Sequence, residues 1–96
     1  MTTHMVICEA LTDELASEVV GKMQEHVRSV PGLKTHSILV EEGGRMVILI
    51  TDWPNRQDCL AHHAGRAYRQ LVAATTQQML VGNYVVKIFA KKAGLH

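Results

Sequence analysis

The chain has 96 residues, of which 47% are hydrophobic and 20% are charged, and its formal net charge at pH 7 is +1. A chain of this length builds one core, so we expect residues 1–96 to form a single domain. The balanced charge argues against a nucleic acid partner. The longest apolar run, residues 46–50, is far shorter than the roughly 18 residues that a membrane span requires, so we expect no membrane association.

The amino terminus and the cysteines bear on location. Residues 1–4 lead directly into an apolar segment, without the basic and long hydrophobic regions of a signal peptide. Cys8 and Cys59 show neither CxxC spacing nor a dense framework, which is typical of a reducing compartment. We therefore predict a cytoplasmic protein in which both cysteines are small packing residues.

The first third of the chain predicts a strand and a helix. Residues 4–10 form a β-prone run with His4, Val6 and Cys8 on one face. Thr12 can cap the helix that follows, and two acidic residues occupy its first turn. Proline and glycine at 31 and 32 end this helix. Its apolar stripe consists of Leu15, Val19, Met23, Val27 and Val30.

A β-hairpin is predicted next. Residues 33–40 and 45–53 are extended, and the turn at 41–44 contains two glycines. In the second of these strands the two faces are both largely apolar, so neither is expected to meet water. One face carries Val47, Leu49, Thr51 and Trp53, and the other carries Met46, Ile48 and Ile50.

The remaining chain predicts a second helical region and a last strand. Asn55 is a good cap for a helix that begins near Arg56, and Gly65 can divide this helix into two pieces. Gly82-Asn83 ends the region, and residues 84–89 form the last strand. The predicted apolar stripe of the helix consists of Leu60, His63, Ala67, Leu71, Ala74 and Gln78.

The order strand, helix, strand, strand, helix, strand predicts an α+β, ferredoxin-like βαββαβ sandwich with a four-stranded antiparallel sheet and helices on one face. The other face is then uncovered, and we expect Val47 and Leu49 on it. Soluble monomers rarely expose such a surface, so we predict a homodimer whose sheets pack face to face as a barrel. Aspartate at Val47 or Leu49 should then block assembly and folding.

The sequence resembles the antibiotic-biosynthesis-monooxygenase-like family of dimeric α+β barrels over nearly its whole length. The landmarks are Pro31-Gly32 before the second strand, Trp53 at the end of the third, and His62 followed by Tyr68 in the next helical region. Family members often have a Pro-Gly, a strand ending in Glu-x-Trp, and a histidine followed by an aromatic residue at these places. Thr51 stands where the family commonly has Glu, and His36 stands where an aromatic residue is frequent.

The resemblance implies a cofactor-independent monooxygenase acting on a small aromatic, quinol or polyketide-type substrate, with dioxygen as its partner. A deprotonated phenol or anthrone can itself pass an electron to dioxygen, so a base, a dry pocket and orientation suffice. His62 is the favoured base and His36 the second catalytic candidate, while Trp53, His63 and Tyr68 are expected to shape a substrate pocket between sheet and helices. An isomerase or cyclase in the same pocket and a non-catalytic dimeric binding module are the alternatives.

Each candidate also has a structural interpretation. His62 and His63 are adjacent on a helix and project about 100° apart, so at most one is expected to act as the base. Any of the three histidines can instead be a packing residue held by a hydrogen bond. Trp53 can serve as a dimer contact, and Tyr68 can anchor its helix on the sheet.

Metal and haem sites are not expected. The histidines are scattered, without an H-x-x-x-H pair on a helix or a His-Cys cluster at ligand spacing. Haem-degrading relatives use an Asn on the first strand and a Trp and a His on the second helix. This chain has no Asn before Asn55, its only Trp is Trp53, and Val72 stands near the place of that His.

Overall fold

The computed structural model describes residues 1–78 and 84–92. The strands are β1 (Thr2–Glu9), β2 (Thr35–Val40), β3 (Met46–Trp53) and β4 (Val85–Ala90), and the helices are α1 (Asp13–Ser29), α2 (Arg56–His63) and α3 (Arg66–Thr75), followed by a 3-10 turn at Thr76–Gln78. This order confirms the predicted βαββαβ arrangement, with the second helical region in two pieces. The predicted helix end at Gly82-Asn83 lies outside the described residues.

The four strands form one antiparallel sheet in the order β2-β3-β1-β4. Val6 on β1 is opposite Leu49 on β3 and Val86 on β4, and His4 is opposite Thr51. Because paired residues in an antiparallel sheet project to the same face, the register carries His4 and Trp53 to one end of the face that the helices cover. The fold is therefore the predicted α+β class.

Both predicted helix caps are confirmed. The Leu15 N–H donates to Thr12 Oγ1 at 3.1 Å, and the Asp58 N–H donates to Asn55 Oδ1 at 2.8 Å. These side chains satisfy backbone donors that a helix start leaves without partners. The apolar stripe of α1 also packs on the sheet as predicted, with Val19 and Met23 fully buried.

The structure corrects the prediction for Val47 and Leu49. These side chains lie in the core beneath the helices, with 0% and 1% of their surface exposed, and not on the uncovered face. The prediction was wrong because both faces of β3 are apolar, so alternation alone does not say which face the helices cover. The uncovered face carries the other set, which includes Met5, Ile7, Ile48 and Ile50.

The predicted stripe of the second helical region was wrong except at Leu71, which is buried. Leu60 is 39% exposed and His63 is exposed, whereas Cys59 and His62 are buried. The predicted break at Gly65 is confirmed, and it is the reason for the error: Gly65 has extended backbone geometry, so α3 does not continue the angular phase of α2. The stripe of α3 consists of Tyr68, Leu71 and Thr75.

The two cysteines are free and buried, in agreement with their predicted role in packing. Burial raises the pKa of the Cys8 thiol to about 11, which keeps it protonated and unreactive at neutral pH. Within residues 1–78 and 84–92, no helix has the length and hydropathy that crossing a membrane requires.

Candidate functional site

A cluster of aromatic rings fills one end of the space between the sheet and the helices. We call it the histidine cluster, and all three helices and two strands contribute to it. Burial of several imidazoles in one place is unusual, because histidine is a polar side chain that normally keeps access to water. The members are His4 from β1, His26 from α1, Trp53 from β3, His62 and His63 from α2, and Tyr68 from α3.

Trp53 and His62 form the most closely stacked pair of this cluster. Their ring centroids are 4.5 Å apart and their planes differ by 28°. The Trp53 indole N–H donates to Thr51 Oγ1 at 3.0 Å, which fixes the indole on its own strand. The end of β3 therefore holds the imidazole that α2 presents to it.

His4 lies between the two neighbouring histidines of α2. Its Nε2 is 3.0 Å from Nδ1 of His63, and one of the two rings supplies the proton of this hydrogen bond. His62 approaches the same ring edge-on, with centroids 5.1 Å apart. The adjacent histidines thus contact His4 from different directions, as their divergence on the helix requires.

The surroundings keep the buried histidines neutral. Burial, and then the charges of His4, His26 and His63, lower the pKa of His62 to about 3. Burial, and then His63 and His26, lower the pKa of His4 to about 4. Burial also lowers the pKa of His26. At neutral pH these rings are therefore uncharged and each has a ring nitrogen able to accept a proton.

An open cleft of about 450 Å³ reaches this cluster from the surface. We call it the Trp53 cleft. It opens at the edge of the gap between sheet and helices, where the chain leaves α1 and where α2 meets α3. Its volume lies within the roughly 300 to 1,000 Å³ that is usual for small-molecule sites. It is lined by residues 30–32, Trp53, Asp58, Ala61, His62 and residues 65–67.

His62 is the member of the cluster best placed to act on a ligand. It lines the Trp53 cleft and is only 8% exposed. Its Nε2 atom is buried and has no hydrogen-bond partner among the described residues. An unpartnered buried nitrogen costs free energy. A ligand in the cleft recovers this free energy only if the imidazole turns Nε2 toward it, because this atom has no exposed surface.

The other predicted site residues occupy different positions. His36 is exposed on the edge strand β2, opposite Thr51, and does not join the histidine cluster. His63 is exposed and holds His4, and it does not line the Trp53 cleft. Tyr68 is buried, and its hydroxyl is 2.9 Å from that of Tyr84, so it anchors α3 to the chain entering β4.

Sequence reasoning did not select His4 and His26 as site residues. His4 was placed on the same face as Val6 and Cys8, and His26 is three residues after Met23 on the buried stripe of α1. The signal available in the sequence was the presence of one histidine on the apolar face of β1, His4, and of another on the apolar stripe of α1, His26. The residues that the structure describes contain no group of three or more His, Cys, Asp or Glu side chains arranged to hold a metal ion.

Comparison with solved structures places the fold in a known class. An antibiotic biosynthesis monooxygenase superposes with a TM-score of 0.76 at 16% identity, over 97% of this chain and 100% of that one. A monooxygenase from Streptomyces coelicolor, solved with nanaomycin D, gives 0.75 at 18% identity over 99% and 90%. SnoaB, a cofactor-independent oxygenase from Streptomyces nogalater, gives 0.75 at 14% identity over 98% and 95%.

These similarities confirm, at the level of the fold, the resemblance that the sequence indicated. The chain has the ferredoxin-like α+β fold of the antibiotic biosynthesis monooxygenases. No protein-family model matches the sequence, and no curated protein matches it. At these identities the similarity defines the architecture, and the chemistry has to be argued from the site itself.

Proposed function

We propose that the protein is a cofactor-independent monooxygenase that oxidises a small aromatic substrate, of the quinol or anthrone type, in the Trp53 cleft. The observation that carries this proposal is His62, a buried neutral imidazole that lines the cleft and has an unpartnered ring nitrogen. The shared fold with a cofactor-independent oxygenase supports it.

In this mechanism His62 accepts the acidic proton of the substrate. General-base assistance of this kind contributes about 100- to 10,000-fold. A pKa of about 3 makes His62 a weak base in the empty cleft. The substrate anion formed beside the new imidazolium stabilises it electrostatically, because an opposite charge within a few ångströms favours the charged form.

The substrate then supplies all the electrons that dioxygen requires. For an anthrone, the carbanion passes one electron to dioxygen, and the resulting radicals combine to a peroxide at that carbon. Loss of water from the protonated peroxide leaves a carbonyl group, so one oxygen atom enters the product and the other leaves as water. The protein contributes a proton acceptor, an apolar cleft and orientation, through His62, Trp53 and the chain at residues 30–32.

We further propose that the protein works as a homodimer through the uncovered face of the sheet. The two central strands give this face Met5, Ile7, Ile48 and Ile50. On its edge strands Leu39, Val85 and Phe89 are 41% to 50% exposed, and Lys87 lies between the last two. On the same face, the Asp52 carboxylate near the end of β3 already accepts hydrogen bonds from Thr3 and Thr35, each at 2.6 Å. A second copy of the same face supplies matching apolar surface, as two-fold interfaces do.

The experiment is oxygen uptake by purified protein against a panel of anthrones and hydroquinones, with ¹⁸O₂ to follow the atoms. One ¹⁸O in the product and one in water per turnover supports the oxygenase. Turnover without oxygen uptake would instead identify an isomerase or cyclase, and binding without turnover a non-catalytic module. The cytoplasmic location that the sequence suggests stays a prediction, to be checked by fractionation.

A further inference from the structure

Two charged side chains line the Trp53 cleft among the described residues, and they differ in how they are bonded. Asp58 is engaged with the helix cap, since its carboxylate lies 3.4 Å from the Asn55 side-chain amide. Arg66 is exposed and makes no hydrogen bond or ion pair with any described residue. Its guanidinium is therefore free to bind an anion in the cleft.

Arg66 is also the first residue of α3, and this helix begins at the cleft. The cap residue, Gly65, provides no side-chain hydrogen bond, and the first turn has no acidic residue. The amide groups at a helix start carry partial positive charge and bind anions. Gly65, Arg66 and Ala67 all line the cleft. The Gly65 N–H already donates to the His62 carbonyl at 3.0 Å, which leaves the Arg66 and Ala67 amides and the guanidinium to act on this space.

A second, independent feature of the same cleft indicates a ligand. His62 is 92% buried, since 8% of its surface is exposed, and its Nε2 has no partner among the described residues. The rest of the lining is largely apolar and includes Trp53, Pro31 and Gly32, and Gly32 is a close neighbour of the Trp53 ring. The site therefore combines a largely apolar cleft, a buried imidazole in its lining, and at its edge the Arg66 guanidinium.

We propose that the Trp53 cleft selects planar aromatic carboxylates. The ring lies within the apolar walls, and the carboxylate lies at the start of α3, where the Arg66 guanidinium binds it through two parallel hydrogen bonds. This proposal rests on the proposed function because it takes the Trp53 cleft as the substrate site. It adds that the substrate carries a carboxylate.

The test compares an acid with its neutral counterpart. Binding of 2-naphthoate and of 2-naphthamide is measured by calorimetry for the wild type, Arg66→Gln and Arg69→Gln. Arg69 is the matched control, because it is an exposed arginine on the same helix that does not line the cleft. The indole N–H resonance of the single tryptophan reports whether the ligand enters the Trp53 cleft.

We expect the wild type and Arg69→Gln to bind the acid at least about 10-fold more tightly than the amide, and Arg66→Gln to lose this preference. Added salt should reduce the preference. Equal affinity for acid and amide, binding of neither, a preference that survives in Arg66→Gln, or an unshifted indole resonance would overturn the proposal. Since binding is measured without turnover, acid selectivity in a protein that consumes no oxygen would refute the oxygenase and leave the carboxylate site standing.

Discussion

The Trp53 indole stacks on the His62 imidazole with 4.5 Å between the ring centroids, and the same indole donates a hydrogen bond to Thr51 Oγ1. The end of β3 is in this way connected to the last turn of α2. The imidazole that lines the cleft owes its position to a strand that pairs on both sides, with β1 and with β2.

We predict that the Trp53–Thr51 hydrogen bond is measurable as a coupling in stability. Thr51→Val leaves the buried indole N–H without its partner and should lower the free energy of unfolding by about 1 to 3 kcal/mol. Trp53→Phe removes the same bond from the other side. Urea unfolding of both single variants and of the double variant should show that the double loss is smaller than the sum. Strictly additive losses would mean that the bond contributes nothing.

Stability should depend on pH through the buried histidines. In the folded protein the pKa values of His4 and His62 are about 4 and 3, below their ordinary value of 6.5. As the pH falls below 6.5 the unfolded chain therefore takes up protons first. The free energy of unfolding should be highest above pH 6.5 and should decrease toward pH 4, by at most about 1.4 kcal/mol per pH unit for each histidine.

Urea unfolding at pH 7.5, 6.0 and 4.5 measures this dependence. His4→Gln should flatten it, because glutamine keeps a side-chain amide for the bond to His63 without a group that titrates in this range. His36→Gln, at an exposed histidine, serves as the comparison. A free energy of unfolding that stays constant or rises between pH 7.5 and 4.5 would show that these rings are not buried as described.

Substitutions at two exposed leucines can show whether the dimer forms through the sheet face or through the helix face. Leu39 is 50% exposed on the uncovered sheet face, and Leu60 is 39% exposed on α2. Leu39→Asp should convert the proposed dimer to a folded monomer of 10.7 kDa, since it places an unpaired charge in the proposed interface. Leu60→Asp should leave the dimer intact. Light scattering decides, and a monomeric wild type or a dimeric Leu39→Asp variant would contradict the homodimer.

From the sequence we expected Val47→Asp to act at the uncovered face, and the structure changes the expected effect because Val47 lies in the core. Its side chain is fully buried under the helices, so the charge would enter the core itself. We expect loss of folding at any protein concentration, seen as loss of the cooperative urea transition, whereas Leu39→Asp should retain this transition. A folded Val47→Asp monomer would show that the two faces of β3 are assigned the wrong way round.

The fold followed from the sequence because local signals marked nearly every boundary. Thr12 and Asn55 cap their helices, and Pro31-Gly32 ends α1, with Gly32 at φ 81° where glycine has no steric penalty. The sequence did not show which face of β3 the helices cover, because alternation distinguishes the two faces of a strand only when one of them is polar. The sequence did not show which side of α3 is buried either, because the single extended residue Gly65 changes the direction of the chain between α2 and α3.

The candidate site was predicted in part. Trp53 and His62 were selected from their family positions, and the structure brings them into contact. His4 and His26 come from elements far apart in sequence, and their meeting with His62 depends on strand register and on how α1 lies on the sheet. Arg66 was passed over because its significance depends on where α3 begins relative to the cleft, which no local pattern encodes.

The initial rate of oxygen uptake with an anthrone, compared between the wild type, His62→Ala and Gln57→Ala, decides whether His62 is the base. Gln57 is exposed on the same helix and does not line the cleft, so its variant controls for changes in α2. We predict that His62→Ala loses about 100-fold or more of kcat/KM while Gln57→Ala retains it. A folded His62→Ala protein that consumes oxygen at the wild-type rate would contradict the assignment of His62 as the base.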